Sequence, residues 1–359
     1  MNEDIEAGAR NLLLNCARAK AGDQLLLVGE RTVLPFFDSQ LCNDVAEVAD
    51  RLGIVSEIVL VEPVADASYF PTVVSEAMQS ADITIFFSRL GDQIRFSDSP
   101  GKSTKIMTYT LSRQHLGSPF ATINYRMMHR VHDHLFTRIK GAKKYSIESA
   151  NGTSLTANIP GQSDSSEPIA SEFTVELFPV MIFPPLTFFN LNGQLVLEHF
   201  LLSSSTRAYS DSVLYLESPV TAQIEDSRMV DFAGDDRLIR RLCAQLERAA
   251  AITGGDPYRL NSWHTGINPY TFYSGDLHAN LEQWGTVTYG SPRYTHIHAA
   301  GKDPGDVSIQ LFDASIAFDG ERFWDRGKFV FLDKPEARDL LSDEERELLN
   351  SSVLKDIGI

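Results

Sequence analysis

Cysteine is scarce: Cys16, Cys42 and Cys243 stand far apart, and no CxxC pair occurs. A disulfide framework and a thiolate zinc site are thereby excluded, and buried free thiols in a reducing compartment are expected. Basic charge is also short, with 32 Lys plus Arg against 48 Asp plus Glu and a net charge of −16. Such a chain is ill suited to a phosphate backbone or an anionic membrane surface. There is no GxGxxG and no GxxxxGK[ST], so nucleotide binding has no motif to rest on. The longest apolar stretch, FPVMIFPPLTFF at 178–189, is far short of the ~20 residues that span a bilayer. The acidic opening MNEDIEAGAR has no basic segment followed by an apolar run, so no signal peptide is expected and the location expected is cytoplasmic. Glycine, at 23 of 359 residues, is too sparse for a collagen-like chain, and 43% hydrophobic residues are too many for disorder.

What remains is a globular chain long enough for two cores of roughly 100–200 residues each. Its first third alternates helix and strand patterns. Helical spacing marks 5–19 and 38–52, while Leu25–Val28, Ile58–Val61 and Ile83–Phe87 read as strands, with a helix over 73–79. Phe120–Tyr125 is a further strand candidate. This is the pattern of an open α/β sheet. Near residue 140 the character changes. Tyr145–Ser149, Leu155–Ile159, Phe173–Leu177 and Gln194–Leu197 read as strands, and QSDSSE at 162–167 as an exposed loop. Leu238–Ala251 is an amphipathic helix. Short strands fill 260–332. A last helix follows Pro335, with Ser342 and Glu345 as a capping box. The expected fold class is α/β plus α+β. An N-terminal α/β domain would occupy 1–138, a largely β domain 139–334 and an added acidic helix 335–359.

Several segments, taken in order, resemble the M29 aminopeptidases and their relatives, the 2,5-dihydroxypyridine dioxygenases. They are NLLLNCARAKAGDQLLLVGE, ADITIFFSR, the hairpin YSIESANGTSLTANIPG, WHTGINP at 263–269 and DASIAFDGERFWDRGKFV at 313–330. The resemblance implies a metallopeptidase-like C-terminal domain that carries the metal. Peptidase members hold two ions with Glu, His, Tyr and Asp; ring-cleaving members hold one Fe(II) with two His and an Asp. Carried over residue by residue, the ligand positions fall on Met181, Ser262, Ile297, Asp306 and Ser308. A thioether and neutral hydroxyls are poor ligands for such ions. The expectation is therefore a degenerate site with no metal, no catalytic residue and no cofactor. The chain would then be a peptide-binding accessory protein on a pseudoenzyme scaffold, in the manner of proteins found beside ribosomally made peptide (RiPP) natural-product pathways. The resemblance also implies a homodimer.

The expected ligand groove is Ser262, Trp263, His264, Tyr270, Arg293, Tyr294, His296, His298 and Asp306, for a peptide or small aromatic ligand. Aromatic side chains supply contact area at low entropy cost, and Arg293 offers a fork for a carboxylate. The alternative is a relocated Fe(II) or Zn(II) site. Residues two apart on a strand share a face, so His264, one of His296 and His298, and Asp306 would form a two-His, one-carboxylate triad. That would make the chain an Fe(II) ring-cleaving dioxygenase or a metalloaminopeptidase. Hydrolysis by Ser262 with His264 lacks a group to orient the base. His129, His132 and His134 (HRVHDH) are expected on an exposed helix start, and DPGD at 303–306 as a tight turn.

Overall fold

The computed structural model describes residues 2–31, 36–64, 69–160, 168–204 and 212–359. Five parallel strands form one sheet, in the order Val55–Val61, Gln24–Glu30, Ile83–Phe87, Thr104–Thr108 and Glu176–Phe178. The central strand Ile83–Phe87 is apolar along most of its length and buried on both faces, as strands between covering helices are. The α/β expectation for the first part of the chain is met.

The second sheet has eleven strands and is antiparallel. Its long members, Phe189–Ser203 and Leu214–Glu225, pair with each other through a register shift. That pairing closes six strands into a ring: Leu214–Glu225, Arg228–Ala233, Asp256–Thr265, Tyr294–Gly301, Val307–Phe312 and Phe189–Ser203. The helix Asp236–Thr253 starts on an Asp235 side-chain cap and buries Leu238, Leu242, Leu246 and Ala249, the face its spacing predicts. The hairpin Lys144–Glu148 with Ser154–Asn158 lies where its sequence places it.

Four local expectations are corrected. Phe120–Tyr125 is not a strand. Pro119 sits at the first position of a helical turn, Pro119–Thr122, where its missing N–H costs nothing. Asn124 then caps the helix Tyr125–Gly141 by accepting from the Met127 amide at 3.2 Å. HRVHDH therefore lies inside that helix rather than at its start. Phe173–Leu177 reduces to Glu176–Phe178, which joins the parallel sheet beside Thr104–Thr108. The segment after Pro335 divides into Pro335–Arg338 and Asp343–Leu348, the second with the Ser342–Glu345 capping box as expected. The 162–167 loop lies outside the described residues.

Candidate functional site

Strand register builds the site. Asp256–Thr265 and Tyr294–Gly301 are antiparallel, with His264 opposite His296 and Ser262 opposite His298. Val307–Phe312 continues the row, with Gln310 opposite His296 and Ser308 opposite His298. Because side chains alternate, all of these share one face, and Trp263 and Ile297 share the other. On that other face Trp263 packs among Tyr145, Phe183 and Phe318 as core.

The row gathers three imidazoles. One nitrogen from each of His264, His296 and His298 lies within 4.8 Å of the others, and among the described residues this is the one group of three or more His, Cys, Asp or Glu so arranged. All three residues are buried. His264 and His298 face each other through Nε2 atoms 3.2 Å apart. The His264 Nδ1–H donates to the Phe183 carbonyl at 3.0 Å, which leaves Nε2 as the lone pair. Both ring nitrogens of His296 are buried without a partner. The Tyr289 ring stacks on His296 with centroids 4.3 Å apart.

Burial holds the imidazoles neutral. It lowers His264 far below the usual imidazole range, aided by the neighbouring His298. It does the same to His296, aided by His264, His298 and Arg95. His298 is brought down to about 3 by burial and then by the Arg95 charge, with the Gly305 backbone partly opposing. Neutral imidazole is the form that binds a metal.

These residues fit one divalent ion. Two nitrogens at zinc–imidazole distance on a tetrahedral ion stand about 3.3 Å apart, close to the Nε2 separation seen. His264 already carries the second hydrogen bond that fixes a ligating tautomer. The two unpartnered nitrogens of His296 are the unsatisfied buried groups that call for a partner. A two-metal site held by carboxylates does not fit, because no carboxylate belongs to the group.

Of the residues expected from sequence, His264, His296 and His298 are brought together. Asp306 is not. It lies in the turn two residues before Ser308, its amide bonded to the Ala300 carbonyl and its Oδ2 turned toward Gly301, where an added Cβ would come within 3.0 Å, and it does not join the group of three. The triad with Asp306 is thus replaced by three histidines. Ser262 Oγ donates to the Pro304 carbonyl at 2.8 Å, tying down the DPGD turn. Arg293 has both arms on Asp313, at 2.9 Å each, so its fork is taken. Tyr270 donates to the Leu348 carbonyl and so faces the C-terminal segment. Tyr294 is buried beside the trio and accepts from Gln310 Nε2 at 3.2 Å.

Sequence reading missed Asp92, Arg95 and Tyr109. The three are buried and bonded to one another, and the Arg95 charge contributes to lowering all three imidazoles; the sequence signal was faint, one Arg between Ile94 and Phe96. His129 and His132 both bond to Asp133, at 2.8 and 3.1 Å, on the outer side of their helix.

No protein-family profile matches the chain, and no curated protein matches it in sequence. Solved structures do. The 2,5-dihydroxypyridine dioxygenase of Pseudomonas putida KT2440 superposes with a TM-score of 0.60 at 14% identity, covering 94% of this chain and 100% of that one. AmpT from Thermus thermophilus gives 0.50 at 10% identity, covering 91% and 99%. The fold is therefore related to that of these two proteins, as the sequence resemblance implies. Among the described residues no helix is long and apolar enough to cross a membrane.

Proposed function

We propose that the chain is a mononuclear metalloprotein in which His264, His296 and His298 hold a single Fe(II) or Zn(II) and a small ligand meets the ion. The observation that carries this reading is three mutually adjacent, fully buried imidazoles, one of which has no hydrogen-bond partner at either nitrogen. A divalent ion on three imidazoles supplies Lewis acidity and keeps coordination positions open. The protein does the rest. Phe183 orients His264, Tyr289 packs against His296, and the surrounding core excludes water. A cavity of about 320 Å³ lies on the other side of Tyr289, which lines it and stacks on His296; none of the three histidines lines it, and its size suits a small molecule better than an extended peptide. Among activities, a dioxygenase-like reaction on a small aromatic ring needs one ion and so fits the trio better than two-metal peptide hydrolysis.

One observation favours a second reading. Met181, Ser262 and Ser308 occupy positions where the family resemblance would place ligands, and no carboxylate joins the trio. On that reading the scaffold binds a peptide without catalysis, as an accessory to a natural-product pathway.

Metal analysis separates the two. Protein purified without chelator, or loaded with Fe(II) or Zn(II), is expected to retain close to one equivalent, and His296→Ala to lose it. Retention of no metal by the wild-type chain under both conditions sinks the first reading and leaves the second.

A further inference from the structure

A cavity stands where the two sheets meet, and one side chain parts it from the trio. Gln24–Glu30 has Val55–Val61 on one side and Ile83–Phe87 on the other, so the winding of the parallel sheet changes direction there. The crevice outside the carboxyl ends of strands at such a point is where open α/β sheets hold ligands. Arg89, just past Ile83–Phe87, bonds Glu30 at the end of Gln24–Glu30 at 2.8 Å and lines the cavity of about 320 Å³. Leu202 and Ser203 of the antiparallel sheet line it too. Among its lining residues His278 and Asn280 are exposed while Gln93 and Tyr289 are buried, so it opens outward and ends against the interior.

Tyr289 lines this cavity and stacks on His296, with centroids 4.3 Å apart and planes inclined by 25°. A single ring thus separates open space from the imidazole whose two nitrogens have no partner. On another flank His296 meets Tyr294 at 5.3 Å, and Trp284 stands against Tyr294 at 5.1 Å, its Nε1–H bonded to the Ile357 carbonyl at 2.6 Å. That wall is two rings and a chain segment thick. A cavity of about 150 Å³ holds a benzene ring, so one of about 320 Å³ has room for a tyrosine ring that swings into it. Tyr289 directly follows the helix Leu281–Thr288, so rotation about its own side-chain bonds moves the ring without unwinding an element. We infer that Tyr289 is a gate, whose ring turns into the cavity and opens a path from the crevice to His296 for the ion and for a small ligand. This deepens the reading given under Proposed function, and rests on it for the ion.

Diethyl pyrocarbonate, which acylates neutral imidazole, tests it on metal-stripped protein, with peptide mass spectrometry reading each histidine. His296 of the folded wild type is expected to label slowly but measurably. Tyr289→Ala should speed that labelling about tenfold, and Ser203→Trp, which fills the cavity, should slow it about fivefold. His132, on the outer helix, should keep its rate in all three proteins. Below the urea unfolding transition the wild-type rate at His296 should hold constant. No labelling of His296 in wild type, a rate that either variant leaves unmoved, or an equal change at His132 overturns the inference. So does a rate that climbs with urea, which marks global unfolding. If either variant does not fold, Tyr289→Leu and Ser203→Phe are read in the same way. The two readings fail separately. A chain that retains no metal yet labels as described refutes the metal site alone. Metal retained while His296 ignores both variants refutes the gate alone.

Discussion

Two groups of three histidines stand in this molecule, and they are opposites. His129, His132 and His134 are close in sequence, lie on one helix, and two of them share Asp133 at a partly exposed surface. His264, His296 and His298 come from two strands some thirty residues apart and are sealed in the interior. Spacing in the sequence makes the first group conspicuous. Only strand pairing makes the second a group at all. The difference teaches that ligand geometry belongs to the sheet register, and that a run of histidines on a helix is often a solvated face.

The largest expected effect breaks the comparison at its centre. His264→Ala should lower affinity for Zn(II) by three orders of magnitude or more, about 4 kcal/mol by the affinity relation. Competition against a chromogenic chelator reads it, and an affinity within tenfold of wild type would remove His264 from the site.

Next comes acidity. In the metal-stripped protein the buried imidazoles of the strand pair have folded-state proton affinities far below those of the unfolded chain, His298 falling to about 3. Below pH 6.5 the unfolded state therefore binds more protons. Stability is complete above that value and declines as pH falls toward 3. From pH 6.5 to 5 the loss from His298 is about 2 kcal/mol, and His264 and His296 add to it in the same direction. Urea midpoints across this range should move down, less so in His298→Gln. A flat profile contradicts the burial described.

The smallest effect sharpens the contrast from the other side. His132→Ala should leave metal content unchanged and shift stability by no more than about 0.5 kcal/mol, as for other surface sites. Loss of metal in that variant would mean the wrong three histidines have been chosen.

Much of the fold was legible. The apolar run Ile83–Phe87, the hairpin around Asn151-Gly152 and the amphipathic spacing of Leu238, Leu242 and Leu246 each declare their element locally. Phe120–Tyr125 misled because its apolar residues do not announce that Pro119 starts a helical turn. At the site, His264, His296 and His298 could be placed on shared faces by counting along strands. Their meeting depended on the pairing of Ser262 with His298 and His264 with His296, which no local pattern contains. Asp306 was misplaced because it belongs to the turn before Val307–Phe312, where alternation along a strand no longer sets the direction of a side chain.

The strand Glu176–Phe178 has a consequence for how the chain can be divided. The polypeptide leaves the parallel sheet, forms its first antiparallel hairpin, and then comes back to lay down that sheet's outermost member. A gene fragment ending near residue 140 would encode a sheet with Thr104–Thr108 as a raw margin, its backbone groups open to self-association. The two halves are laced rather than butted together, so recombination at the apparent joint would yield two incomplete pieces.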